Sequence, residues 1–131
     1  MVIDTSAVLA ILLNERDAAI FARAIENAGD RRMSAANYLE AAIVIDNRGD
    51  ALAQRELDRF FQRSGIILEP VTIEQARIAR EAYRDFGKGR HRAGLNFGDC
   101  LSYALARLLD QPFLYKGRDF SQTDIQSALD E

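Results

Sequence analysis

The sequence is poor in the residues from which many hydrolytic and redox sites are built. Cys100 is its only cysteine and His91 its only histidine. A single cysteine excludes a disulfide framework and a thiolate metal cage, and it fits a reducing cytoplasm. A single histidine argues against a zinc centre and against a Ser-His-Asp triad, which would have to use His91 from a flexible loop. No apolar run approaches the length of a membrane span. The opening apolar run does not read as a signal peptide, because Asp4 interrupts it and no positively charged segment precedes it. Also missing are a Gly-x-x-x-x-Gly-Lys-Ser/Thr phosphate loop, a Gly-x-Gly-x-x-Gly fingerprint and a Gly-x-Ser-x-Gly elbow. Asp4-Thr5-Ser6 lacks the second Asp of an aspartyl-phosphate phosphatase. A phospho-receiver would need an acceptor Asp after its third strand, where only Glu69 stands.

What is present is one domain, residues 1–131, long enough for a real core, with 48% hydrophobic and 28% charged residues. The net charge of -3 does not suggest nucleic acid at first sight. Its distribution does. Gly87-Lys88-Gly89-Arg90-His91-Arg92-Ala93-Gly94 puts three permanent cations in a glycine-punctuated loop, and Arg31-Arg32 and Lys116 with Arg118 add smaller basic spots.

The periodicities alternate. Val2-Ile3 reads as a buried strand that stops at Asp4, with Thr5 or Ser6 capping a short helix. Asn14 to Asp17 is a turn, and a helix carrying Ile20, Phe21, Ala24, Ile25 and Ala28 follows, ended by Gly29-Asp30. Arg31 to Ser34 is a weak strand, and a helix runs from Ser34 or Ala35 to about Asn47. Another spans Ala51 to Arg63, with Leu57, Phe60 and Phe61 on one face and Gly65 as its stop. Ile66-Ile67-Leu68, halted by Pro70, is a strand. Thr72 caps a helix with the stripe Ile73, Ala76, Ala79, Tyr83 and Phe86. After the basic loop, Asn96 caps a helix with Phe97, Leu101, Ala104, Leu105 and Leu108 on one face. Pro112 to Tyr115 is the last strand and Lys116 to Asp119 its exit turn. The polar tail, Ser121 to Glu131, has Ile125 and Leu129 as anchors. This order predicts a three-layer α/β/α sandwich on a mostly parallel sheet.

Four acids stand out in it. Asp4 and Asp119 each follow a strand, Asp99 opens a helix at the third position after Asn96, and Glu40 lies in a helix whose neighbours Tyr38 to Ile45 are apolar nearly all round. That setting predicts a mostly buried helix and a buried or half-buried Glu40. Each acid has a plain alternative: an Asx-turn or N-cap for Asp4, a solvated helix residue for Glu40, a dipole-facing acid for Asp99, a surface turn for Asp119. In a parallel sheet, however, all four project from one edge, where ligands of α/β proteins collect. Four carboxylates so close would repel unless protonated or neutralised by a cation. An all-oxygen set suits Mg²⁺ or Mn²⁺, and phosphodiester hydrolysis is the natural reaction of such a site. The expected catalytic and metal-binding residues are therefore Asp4, Glu40, Asp99 and Asp119, with Lys88, Arg90 and Arg92 holding backbone phosphates. The competing reading is a catalytically silent binding module whose acidic pocket receives a basic partner peptide.

Four segments carry a resemblance to a known family. They are the opening Val-Ile-Asp-Thr-Ser-Ala; Ala36-Asn37-Tyr38-Leu39-Glu40-Ala41; Leu95-Asn96-Phe97-Gly98-Asp99-Cys100 with Tyr103-Ala104-Leu105-Ala106; and Tyr115-Lys116-Gly117-Arg118-Asp119-Phe120 with Thr123-Asp124-Ile125. In this order the chain resembles the PIN-domain toxins of the VapC family over essentially its whole length. The resemblance implies a Mg²⁺- or Mn²⁺-dependent endoribonuclease leaving 5′-phosphate and 3′-hydroxyl ends, the toxin of a type II toxin–antitoxin pair. It implies Asp4 and Asp99 as direct ligands, Glu40 next, Asp119 directly or through water, and Ser6 as a supporting hydroxyl. It also implies a homodimer and a cognate VapB-like antitoxin reaching across the site, with Phe60 and Phe61 either lining a groove for it or lying in the core. Arg118 stands where the family more usually has Asn or Asp.

Overall fold

The computed structural model describes residues 1–129. Four strands, β1 (Val2–Ile3), β2 (Arg32–Ser34), β3 (Ile67–Glu69) and β4 (Phe113–Leu114), form one parallel sheet in the order β3-β2-β1-β4. Six helices accompany them: α1 (Thr5–Leu12), α2 (Ala18–Asn27), α3 (Ala35–Asn47), α4 (Ala51–Arg63), α5 (Ile73–Phe86) and α6 (Phe97–Leu109). The expected α/β/α sandwich on a parallel sheet is what the chain adopts.

The two faces of β1 and of its neighbour β4 enter different cores. Side chains alternate across a strand. Val2 and Phe113, paired in register, enter the core under α5 and α6 with Leu95, Leu105 and Phe120. Ile3 and Leu114, the next pair, point the other way and meet Met33, Val8, Phe21 and Ile25 under α1 and α2. Val2, Ile3, Phe113 and Leu114 are all fully buried. Both faces of β1 are thus sealed, as expected of a central parallel strand.

Caps fix where most of the helices begin. Ser34 accepts from Ala36 N, Asp50 from Leu52 N and Thr72 from Gln75 N. At α1 the cap is Asp4 itself, whose side chain accepts from Ser6 N, rather than Thr5 or Ser6. The turn after α4 relies on Gly65 at φ +68°, a backbone state that other residues enter at a cost.

Several faces differ from the periodicity. Leu39, Ile43 and Val44 are exposed, so α3 is buried on one side only, through Asn37, Ala41, Ala42 and Ile45. Strand β3 is an edge, and Ile67 and Leu68 are exposed there. The buried face of α5 is Gln75, Ala79 and Ala82; of the expected stripe Ala79 is buried and Phe86 packs on the core, whereas Ala76 and Tyr83 are exposed and Ile73 at the start is 71% exposed. Phe97 is exposed as well, because α6 starts there, beyond the end of the core it enters at Cys100. Phe60 and Phe61 are partly buried: Phe61 meets Tyr38 edge-on, and both pack against the core. The tail is tied down twice. Ala128 N donates to Phe113 O and Phe113 N to Gln126 O, making one parallel bridge, and Tyr103 Oη donates to Asp124. Ile125 packs on the core, whereas Leu129 is largely exposed; Asp130 and Glu131, the end of the expected tail, lie outside the described residues. No helix among the described residues is long and apolar enough to cross a membrane.

Phe113→Ala removes a fully buried ring that meets Phe120 edge-on at 4.7 Å. It is expected to cost about 3–5 kcal/mol in urea unfolding, whereas Ile73→Ala should stay within about 0.5 kcal/mol. Comparable losses from both would contradict this division between core and surface.

Candidate metal centre and nucleic-acid interface

The sheet order reverses beside β1: β2 lies on one side of it and β4, the last strand, on the other. The carboxyl ends of β1 and β4 therefore open a crevice at a switch point. Asp4 stands in it. Its backbone N–H donates to Leu114 O, and its side chain is only 3% exposed.

Hydroxyls hold that carboxylate on both oxygens. Ser102 Oγ donates to Oδ1 at 2.6 Å, and Ser6 donates to Oδ2 through Oγ at 2.6 Å and N at 3.0 Å. Ser6 Oγ also accepts from Lys116 N at 2.9 Å, so the same hydroxyl fixes the exit of β4 to the start of α1. Burial pushes the Asp4 carboxyl above its ordinary value, the serine hydrogen bonds pull it back, and Glu40 pushes it further up.

Glu40 comes to the crevice from α3 and is half-buried. Its Oε1 lies 2.5 Å from Thr5 Oγ1 and 3.4 Å from Asn37 Nδ2. The Thr5 hydroxyl is also 3.0 Å from the Asn37 carbonyl, so one proton serves two acceptors. Asn37 Nδ2 donates to Gly98 O at 3.0 Å, which fixes the orientation of the amide and leaves its buried Oδ1 without a partner. A Cβ at Gly98 would overlap the Glu40 carboxylate, so any other residue there would displace that carboxylate from its present place.

Asp99 closes the N-terminus of α6 in a reciprocal capping box: Asp99 Oδ2 accepts from Asn96 N at 3.0 Å and Asn96 Oδ1 from Asp99 N at 2.9 Å. Its carboxyl is raised from 3.8 to about 6, first by burial and then by the negative charges of Asp4, Glu40 and Asp119. Asp99 thus feels the other three acids. Asp119, exposed at the head of a short 3-10 turn (Phe120–Gln122), makes no capping bond with its side chain.

The four carboxylates share one field, yet among the described residues no three acidic, His or Cys side chains stand close enough to hold an ion as they are. Asp4 and Asp99, both pushed up by burial and by neighbouring negative charge, belong to a donor set deficient in positive charge, and its all-oxygen character fits a hard divalent cation rather than zinc or copper. Cys100, pushed up to about 11 by burial and Asp99, is no nucleophile.

The basic loop joins α5 to α6. Lys88, Arg90 and Arg92 are exposed, and among the described residues none of them forms an ion pair. Arg90 stands 5.9 Å over the Tyr83 ring. Lys116 is different, because its Nζ is engaged by Glu15 and Asp17 at 3.1 Å each. Arg118 is exposed beside Asp119.

The sequence pattern assigned Thr5, Asn37, Gly98 and Ser102 no role at the site. A signal existed for two of them: Asn37 and Ser102 are polar residues on otherwise apolar helix faces, and a buried polar group requires a partner.

Residues 1–126 match the profile of the PIN domain family. Ribonuclease VapC28 of Mycobacterium tuberculosis is 55% identical over 131 residues, 99% of this chain and 98% of that protein. Ribonuclease VapC of Mycolicibacterium smegmatis is 53% identical over 128 residues, 98% and 99% of the two chains. Among solved structures, that of Mycobacterium tuberculosis VapC20, a sarcin-ricin loop cleaving toxin, superposes with a TM-score of 0.75 over 95% of each chain at 19% identity, a likeness of fold.

The elevated Asp99 carboxyl has a consequence for stability. The cation-free fold binds more protons at this group than the unfolded chain between pH 3.8 and about 6, so its contribution weakens stability as pH rises through that window. Asp99→Asn keeps an acceptor for the Asn96 N–H and removes the charge. In chelator at pH 7 it should melt a few degrees higher than the unaltered chain, with the gain shrinking below pH 4. Thermal melts at both pH values check this, and a lower melting temperature at pH 7 would contradict it.

Proposed function

The chain belongs to the PIN-domain family and, within it, to the VapC ribonucleases, and from that premise we propose that it is a divalent-metal-dependent endoribonuclease, the toxin of a VapBC-type pair acting in the cytoplasm. The observation that carries this reading is the crevice at the carboxyl end of β1, where Asp4 is buried and Asp99, at the start of α6, stands near enough to Asp4, Glu40 and Asp119 for their charges to add to the upward push of its own burial. Mg²⁺ or Mn²⁺ is the ion that such a donor set takes, with Asp4 and Asp99 as the surest ligands, Glu40 next, and Asp119 directly or through water. When bound, the ion supplies charge stabilisation to the phosphodiester and lowers the pKa of attacking water.

The chain's own residues supply position. Ser102 and Ser6 hold the two Asp4 oxygens from opposite sides, so the carboxylate keeps one orientation as charge comes and goes. Thr5 and Asn37 both donate to one oxygen of Glu40, Oε1. Asp119 makes no capping bond with its side chain, which suits it to an outer role at the solvent side. Lys88, Arg90 and Arg92, exposed and without ion pairs, suit backbone phosphates of the RNA.

Two protein partners follow from the same reading. The exposed apolar side chains Leu39, Ile43 and Val44 of α3, with Ile67 and Leu68 on the edge strand β3, are surface that a second chain would cover. They support a homodimer, and the acidic crevice supports a VapB-like antitoxin that brings a basic side chain to it.

Asp4→Asn is expected to lower Mg²⁺-dependent cleavage of structured RNA by about 100-fold or more, as losses of electrostatic catalysts do, with the melting temperature retained. Arg90→Ala with Arg92→Ala should reduce the salt slope of RNA binding by about 1.4, two single-strand phosphate contacts. Full cleavage by the Asp4 variant would refute its role, and a silent binding module predicts no cleavage by the unaltered chain either.

A further inference from the structure

Phe97 is 80% exposed, more than any other large apolar side chain among the described residues. It is the first residue of α6, between the capping Asn96 and Gly98, two positions before Asp99. Helical phase alone would place it on the stripe of Leu101, Ala104 and Leu105, but the core ends before the helix does. The next residue, Gly98, leaves no space for a side chain beside the Glu40 carboxylate, so Phe97 borders the crevice itself. Among the described residues its ring pairs with no other aromatic ring. The fold gains little from a phenyl group held in water at the rim of a charged crevice.

An RNA strand crossing that crevice could use it. Non-sequence-specific single-strand sites combine cations that track the phosphates with an exposed aromatic face on which a base stacks. Here the cations Lys88, Arg90 and Arg92 precede Phe97 in the same connection into α6. We propose that Phe97 is a positioning residue for the ribonuclease reaction, stacking on the nucleobase next to the scissile phosphate and so fixing that phosphate over Asp99. The proposal rests on the ribonuclease reading. Because every base has a π-face, Phe97 sets where the strand is cut relative to the crevice rather than which base is read.

The chain has no tryptophan, so Phe97→Trp installs a sole tryptophan, excitable apart from the tyrosines, at the position in question. In an Asp4→Asn background, to prevent cleavage, a short oligoribonucleotide should quench its emission, whereas an abasic strand of equal phosphate count should leave it nearly unchanged. In binding assays Phe97→Ala should lose about tenfold in affinity for the same oligonucleotide, Phe97→Tyr should retain it, and Mn²⁺ affinity by calorimetry should be the same in both. Equal quenching by the two strands, or native RNA affinity in Phe97→Ala, overturns the proposal. So does a Phe97→Ala chain that binds RNA normally but becomes monomeric or escapes a cognate antitoxin, since Phe97 would then belong to a protein contact. Failure of the unaltered chain to bind or cleave RNA with Mg²⁺ or Mn²⁺ would instead remove the ribonuclease reading, and this proposal with it.

Discussion

Repulsion among carboxylates is the constraint around which the crevice is arranged. Asp4 is almost wholly buried, and Asp99 sits in the field of three other acids. Burying one carboxylate is costly, and assembling several multiplies the cost. The fold meets part of it with neutral donors: two serine hydroxyls on Asp4, a threonine and an asparagine on Glu40, a backbone N–H on Asp99. None of these brings a positive charge. A lysine or arginine there would have neutralised the acids more cheaply, but Lys116 is drawn aside to Glu15 and Asp17, and the loop cations carry no ion pair to the acids. The residual charge is left for something that arrives from outside.

The rest of the chain keeps these groups in place. Two residues of β1 suffice because Val2 and Ile3 each anchor a different core, and the register with Phe113 and Leu114 locks the strand that ends in Asp4 beside the strand that exits toward Asp119. Ser6 ties the two exits together. Gly98 leaves the space that the Glu40 carboxylate occupies beside the start of α6, where Asp99 stands. Stability and function are coupled here in a specific sense: the packing that seals β1 also imposes the electrostatic strain.

Much of this was legible in the sequence, and the reasons are local. Strand ends, caps such as Ser34, Thr72 and Asn96, and the stop at Gly65 are written in one or two residues each. The four acids could be assigned to one sheet edge because parallel topology leaves little choice. What was not legible depends on neighbours remote in sequence. Whether the apolar residues of α3 meet a core or water is decided by where the sheet stops, which is why Leu39 and Ile43 emerge exposed. The face of α5 is set by its packing on α6, which favours Gln75 over Ile73. That Ser102 sits 98 residues from Asp4 in sequence is why only the geometry puts its hydroxyl on that carboxylate.

If a divalent cation takes over the work that protons do in the free crevice, its binding must expel them. Calorimetric titration of Mn²⁺ at pH 6 in two buffers of different ionisation enthalpy counts the protons released per ion. With Asp99 near 6, release of about half a proton or more, diminished in Asp99→Asn, is the expected result. Mn²⁺ that binds without releasing protons, or does not bind at all, would contradict it.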